Sequence, residues 1–168
     1  MAFQIRLGKQ GAKFSSTHFT VFSATSAERL HGHNYQIEVQ VDVPEIDALD
    51  FAFDFNALKP LILKLADSLD ERVLIAGLNP HLTLKETDAH RAQHLVVQFC
   101  NRQYQFPLDE VVVLPIHNVT TEALARYIWQ QMADLAKPVF KHAKATRLTV
   151  QVTETAGQSS VYIEDLAQ

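Results

Sequence analysis

"AERLHGHNYQIEVQVDV", residues 27–43, changes character near its middle. From Tyr35 on it alternates strictly. Tyr35, Ile37, Val39, Val41 and Val43 share one side, and Gln36, Glu38, Gln40 and Asp42 share the other. A period of two predicts a β-strand with one buried face. Pro44 ends it, because proline has no N–H to give to the ladder. His31 and His33 stand one glycine apart at the start of the strand. Residues i and i+2 of a strand point the same way, so the two imidazoles converge. Zinc takes imidazole nitrogen readily, and a catalytic zinc typically has three protein ligands and one open position. His18, in "FSSTHFTV", is the nearest upstream third ligand, provided its segment lies antiparallel beside the pair. Gly32 lets backbone or ligand approach closely. The plain alternative is a pair of surface histidines at a strand entry.

The same reading extends outward. "FQIRL" and "AKFSSTHFTV" read as extended chain broken near Gly8 and Gly11. Leu58, Leu61, Ile62, Leu65 and Leu69 form a helical stripe. Asn56, rather than Asp54, is the expected N-cap, because Pro60 is tolerated only near a helix start. Residues 70–111 read as irregular, except for two extended pieces in "HLVVQFCNRQYQFP" that form a hairpin around Asn101-Arg102. Thr120 is the expected cap of a second helix in "NVTTEALARYIWQQMADLA". Leu124, Tyr127, Ile128 and Leu135 line one face of it, and Pro138 is expected to stop it. "TRLTVQVTET" and "SSVYIED" read as closing strands joined at Ala156-Gly157. This order predicts one α+β domain over residues 1–168, with helices on one face of an antiparallel sheet. Two bare sheet edges would need covering, which points to a symmetric homo-oligomer.

Composition narrows the function. The 168 residues are 47% hydrophobic and 20% charged, an ordinary globular mix. The net charge of -4 and the lack of a basic block give no nucleic-acid surface. No apolar run approaches the roughly 20 residues of a membrane span, and "MAFQIRLGKQ" lacks the apolar core of a secretory signal. With Cys100 alone there is no intrachain disulfide, and the expected compartment is the cytoplasm. Cys100 itself reads as an inert, buried strand residue. His81, His90, His94, His117 and His142 read as solvated.

Six motifs in order, "FSSTH", "LHGHNYQIEV", "FDFNALK", "SLDE", "TTEALARYIW" and "VTETAGQSSVY", resemble the 6-pyruvoyl-tetrahydropterin synthase and 6-carboxy-tetrahydropterin synthase family. The resemblance implies the tunnelling fold, a four-stranded antiparallel sheet with two helices on one face. The stretch at about 79–110 would be a hairpin-like insertion. It also implies a homohexamer, two stacked trimers with active sites at subunit interfaces. It makes His18, His31 and His33 the Zn2+ ligands and Glu154 the anchor of a pterin substrate, with Thr121 and Glu122 near the bound pterin. A carboxylate can take two hydrogen bonds from a pterin's amino and ring N–H groups. The implied activity is a carbon–oxygen lyase acting on the side chain of 7,8-dihydroneopterin triphosphate. Lys13, Arg29 and Arg72 are nearby positive charges for the triphosphate.

The resemblance fails at the family's base. The two positions that carry its cysteine are Thr25 and Ala27, and the family's "LDH" reads Asp70-Glu71 after Leu69. Three readings stay open. Glu28 is the base, in a variant that forms 6-hydroxymethyl-dihydropterin, if burial raises its pKa. Glu71, paired with Asp70, replaces the histidine as proton acceptor. Or the chain binds zinc and pterin without the family's chemistry.

Overall fold

The computed structural model describes residues 3–8, 12–89 and 92–167. The break expected near Gly11 and the solvated reading of His90 therefore lie outside the described residues. The strands are β1 (Phe3–Leu7), β2 (Lys13–His18), β3 (His31–Val43), β4 (Arg72–Ala76), β5 (Leu82–Ala89), β6 (Ala92–Phe99), β7 (Arg102–Pro107), β8 (Val111–Leu114), β9 (Arg147–Thr155) and β10 (Gln158–Asp165). The helices are α1 (Lys59–Leu69), α2 (Thr121–Leu135) and α3 (Lys137–His142).

β3 is the spine. Its expected inward residues, Tyr35, Ile37, Val39, Val41 and Val43, are all buried. β9 lies along one side of it, and β1 and β2 follow one another along the other, all antiparallel. Beyond β2 the sheet turns parallel: β4 pairs with β2, and β8 with β4. The result is a mixed sheet of seven strands, ordered β10-β9-β3-β2-β4-β8 with β1 also on β3. This corrects the expected four-stranded antiparallel sheet.

β4 explains the difference. "RVLIA" has no alternation because both of its faces are covered. Leu74 and Ala76 enter the main core, while Ile75 enters a second apolar cluster with Phe19, Val21, Leu95, Val97 and Phe99. A short, continuously apolar run carries no strand periodicity, so it reads as irregular chain. The stretch expected as a hairpin-like insertion likewise holds more than a hairpin. β5, β6 and β7 form a three-stranded antiparallel sheet, and its apolar side supplies half of the buried residues of that second cluster. The expected β6–β7 hairpin is present, with its turn one residue earlier than expected, at Cys100-Asn101, since Phe99 pairs with Arg102. Cys100 occupies this turn with a positive φ of 50° and is exposed, not a buried strand residue.

The helices cover the inward face of the sheet. α1 buries Ile62, Leu65, Ala66 and Leu69. Asp54, not Asn56, is the residue that caps: its carboxylate accepts from the Asn56 amide and closes a single 3-10 turn, Phe55–Ala57, ahead of α1. α2 starts as expected, with the Thr120 side chain accepting from the Ala123 amide. Its buried face is Leu124, Ala125, Ile128 and Met132, and Leu135 is exposed. Pro138 does not simply stop the helix; it lies in the first turn of α3, where a missing N–H costs nothing. The β9–β10 turn is at Ala156-Gly157 as expected, with Gly157 at φ 86°, a conformation that glycine adopts without strain.

Leu124 is fully buried against the sheet near the start of α2. Leu124→Ala is expected to cost about 2–5 kcal/mol of stability. Urea unfolding of the two proteins measures this, and a loss well under 1 kcal/mol would contradict the packing described.

Candidate metal centre

Strand register assembles the site. His31 and His33 have the same parity as Tyr35 and Ile37, so they continue the inward face of β3 past the end of the core. On β2, inward parity runs Phe14, Ser16, His18. The β2–β3 register sets His18 directly opposite His31 and Ser16 opposite His33. On β9, Leu148, Val150, Val152 and Glu154 share a parity, and Ile37 pairs with Val152. One further step along each strand brings Tyr35 to Glu154, and the Tyr35 hydroxyl donates to Glu154 Oε1 at 3.2 Å. Three adjacent strands thus bring three imidazoles and one carboxylate to one end of the helix-covered face.

One ring nitrogen from each of His18, His31 and His33 lies within 4.8 Å of the others. Two rings are oriented from behind. His18 Nδ1 lies 3.0 Å from the Val119 carbonyl, just before α2, and His31 Nδ1 lies 2.8 Å from the Arg29 carbonyl. An Nδ1–H donated to a carbonyl leaves the Nε2 lone pair facing inward, the tautomer a metal needs. His18 is 2% exposed, and its buried Nε2 has no hydrogen-bond partner. Burial, then the neighbouring His31, holds its pKa below the usual histidine value, despite the opposing pull of the Val119 carbonyl and Glu154. A buried, neutral, orphaned imidazole nitrogen beside two others is a donor set that fits a small cation.

Glu154 Oε1 lies 3.3 Å from His33 Nε2 and 3.5 Å from His18 Nε2. Burial and the Glu154 carboxylate raise the Tyr35 pKa, so its hydroxyl stays a donor. Glu28 is half-buried at the end of the loop that joins β2 to β3. Its amide donates to the Thr20 carbonyl at 2.9 Å, and its Oε2 accepts from the Thr20 amide at 3.0 Å. Burial pushes its pKa up, but hydrogen bonding from Thr20 and the nearby His31 and His18 outweigh that, and the net shift is downward. The condition attached to the Glu28 reading, a pKa raised by burial, is therefore not met. Glu28 is held as a carboxylate next to the histidine cluster.

Asp70 and Glu71 both bond the backbone of Ser15, within β2. Asp70 Oδ1 accepts from the Ser15 amide at 2.6 Å, and the Glu71 amide donates to the Ser15 carbonyl at 2.8 Å. Glu71 takes a left-handed φ of 53°. Its side chain lines a cavity of about 660 Å³ together with Ser15, His33, Arg72, Glu110 and Glu154. Thr121 and Glu122 do not line this cavity. Thr121 Oγ1 and Ser160 Oγ share a hydrogen bond of 2.7 Å. Glu122 is exposed in the first turn of α2, where bonds from its own backbone amide and from Thr120 lower its pKa. Sequence reasoning missed three supports: Thr20, the Val119 carbonyl and the Tyr35 hydroxyl. Only Tyr35 carried a signal, its parity, and that marked it as core.

A sequence profile described as "6-pyruvoyl tetrahydropterin synthase" matches residues 8–165. A Methanocaldococcus jannaschii protein with the provisional name 6-carboxy-5,6,7,8-tetrahydropterin synthase is 28% identical over 152 residues, 90% of each chain. The structure of Plasmodium falciparum 6-pyruvoyl tetrahydropterin synthase superposes with a TM-score of 0.89 at 21% identity, covering 98% of both chains. A Plasmodium vivax 6-pyruvoyltetrahydropterin synthase, in which a glutamate named as its catalytic residue is changed to alanine, superposes with a TM-score of 0.90 at 23% identity. That match covers 98% of this chain and 99% of the other.

Proposed function

Because this chain belongs to the 6-pyruvoyl tetrahydropterin synthase family, we propose that it is a zinc-dependent lyase that cleaves the side chain of 7,8-dihydroneopterin triphosphate, with Glu28 as its base. The observation that carries this reading is the Glu28 carboxylate, bonded by the Thr20 amide and near His31 and His18. The glutamate named as catalytic in the Plasmodium vivax relative supports it. No thiol occupies positions 25–30, and Cys100 is exposed in the β6–β7 turn.

His18, His31 and His33 would hold the zinc. Bound there, it would polarise the oxygens of the substrate side chain. Glu28 takes the proton of the 2′-hydroxyl. The C1′–C2′ bond breaks, C2′ becomes an aldehyde, and the electron pair passes into the C6–N5 imine of the dihydropterin. A proton returns to C1′, giving 6-hydroxymethyl-7,8-dihydropterin and a triphosphorylated two-carbon aldehyde. No oxidant or reductant is needed. A carboxylate suits this proton better than a strongly bound C–H proton, because its basicity is low.

The proximity of Glu154 to the histidine nitrogens supports a role at the side-chain end of the substrate. A pterin's amino edge lies at the opposite end of the bicycle from its C6 substituent. Glu122, in the first turn of α2 and outside the cavity that Glu154 lines, is the carboxylate we assign to that edge. Glu154→Gln is expected to weaken binding of the substrate by zinc-loaded protein roughly 10- to 100-fold, the loss of one charge-assisted hydrogen bond. Calorimetric titration measures it, and unchanged affinity with zinc retained would count against the role.

The family's hexamer is carried over in the same way. Among the described residues β8 and β10 end the sheet with unpaired edges, and Val161 and Ile163 on β10 are exposed. Within the described residues no helix is long and apolar enough to cross a membrane. The deciding experiment incubates zinc-loaded protein with dihydroneopterin triphosphate and identifies the product. Formation of 6-hydroxymethyl-dihydropterin supports the reading. A 6-pyruvoyl or 6-carboxy product would return the chain to the family's other branches. Tight binding without turnover would make it a pterin-binding paralogue.

A further inference from the structure

Outside the histidine cluster, one guanidinium touches the loop that carries Glu28. Arg102 opens β7, directly after the Cys100-Asn101 turn. Its two terminal nitrogens donate to the carbonyls of Glu28, at 2.6 Å, and Ala27, at 3.2 Å. The guanidinium stands 5.9 Å from the centre of the Phe99 ring, its own partner across the hairpin. Phe99 belongs to the second apolar cluster, and Ala27 and Leu30, on either side of Glu28, pack against that same cluster. The inserted sheet therefore supports the Glu28 segment in two ways. It supplies the platform through Leu95, Val97 and Phe99, and it clamps two consecutive carbonyls. Arginine suits the second task because its planar fork fixes the direction of both donors, which a lysine ammonium does not.

We propose that Arg102 is a positioning residue that holds the Glu28 carboxylate in register with the histidine cluster, making the inserted sheet part of the working site. The proposal rests on the reading of Glu28 as the base. Arg102 acts through main-chain carbonyls, so it sets geometry and not chemistry. A catalytic group displaced by about 1 Å can lose roughly 100-fold in rate. The β2–β3 register places the histidines, and His18 is also held by the Val119 carbonyl away from this loop, so the main supports of the metal site lie outside the clamp.

The test compares zinc-loaded wild type, Arg102→Ala, Arg102→Lys, Glu28→Gln and the double variant Arg102→Ala/Glu28→Gln, with dihydroneopterin triphosphate as substrate. Arg102→Ala is expected to lower kcat roughly 10- to 100-fold, with KM within a few-fold of wild type and zinc content unchanged. The double variant should be no slower than Glu28→Gln alone, since both changes act on one group. Arg102→Lys should recover only part of the rate. Independently, the Thr20 amide, which donates to Glu28 Oε2, should exchange its hydrogen faster in Arg102→Ala. Wild-type kcat in Arg102→Ala, or losses that multiply in the double variant, would overturn the proposal. If the wild type turns nothing over, the enzymatic reading fails and the exchange measurement decides positioning alone: faster Thr20 exchange supports it, unchanged exchange overturns it. If Arg102→Ala does not fold, Arg102→Lys carries the same rate and exchange measurements.

Discussion

His31→Ala is expected to purify without stoichiometric zinc, while the wild type holds close to one ion per chain after loading. Metal analysis of the desalted proteins reads this directly. The choice of histidine matters. His18 is buried, with its ring tied to the Val119 carbonyl, so its truncation would open a hole and confuse metal loss with misfolding. His31 is only half-buried and sits at the start of β3, so its removal leaves the core untouched. The metal-free forms of variant and wild type should agree in stability to within about 1 kcal/mol. Two imidazoles remain, His18 and His33, and a zinc that normally takes three protein ligands is then poorly held. Full zinc occupancy in His31→Ala would remove the three-histidine site.

Glu28→Gln is expected to lower turnover by about 10²–10⁴-fold, the usual contribution of a positioned base, with zinc content unchanged. The substitution keeps the shape of the side chain, and its amide oxygen can still accept from Thr20 as the carboxylate does. The loop therefore stays in place, and the loss reports on the proton transfer. The direction of the Glu28 pKa adds a second measurement. A base works only when deprotonated, and Thr20 with the nearby histidines holds this carboxyl below its usual value. The part of the acid limb due to Glu28 should then lie below about pH 4.3, the ordinary glutamate range. Loss of activity at higher pH must come from another group, with the metal-holding imidazoles the first to examine. Wild-type turnover in Glu28→Gln would eliminate it as the base.

Much of this site is legible in the chain itself, and the reasons are local. The alternation of Tyr35–Val43 and the two-residue spacing of His31 and His33 follow from backbone geometry within one strand. The Thr120 cap and the Ala156-Gly157 turn depend on a few neighbouring residues. Local signals mislead where tertiary covering overrides them. β4 lacks alternation because a second core lies on its other face. Asn56 looks like the cap of α1, yet α1 starts after Leu58 with no side-chain cap, and Asp54 caps the 3-10 turn ahead of it.

By itself, the sequence determined that two imidazoles converge at a strand entry, that a third lies upstream, and that the surrounding loop carries a glutamate and no thiol. Only the tertiary structure decided what those groups face. Cross-strand register set His18 opposite His31 and brought Glu154, more than a hundred positions away, against the same nitrogens. Packing around Glu28 left it a carboxylate where burial alone would have protonated it more readily, because Thr20 and the histidines stabilise the charge. The clamp from Arg102 joins positions 74 and 75 residues apart. Side-chain direction along one strand is a property of a few bonds. Register between strands, and the field at a half-buried carboxylate, are properties of the whole packed chain.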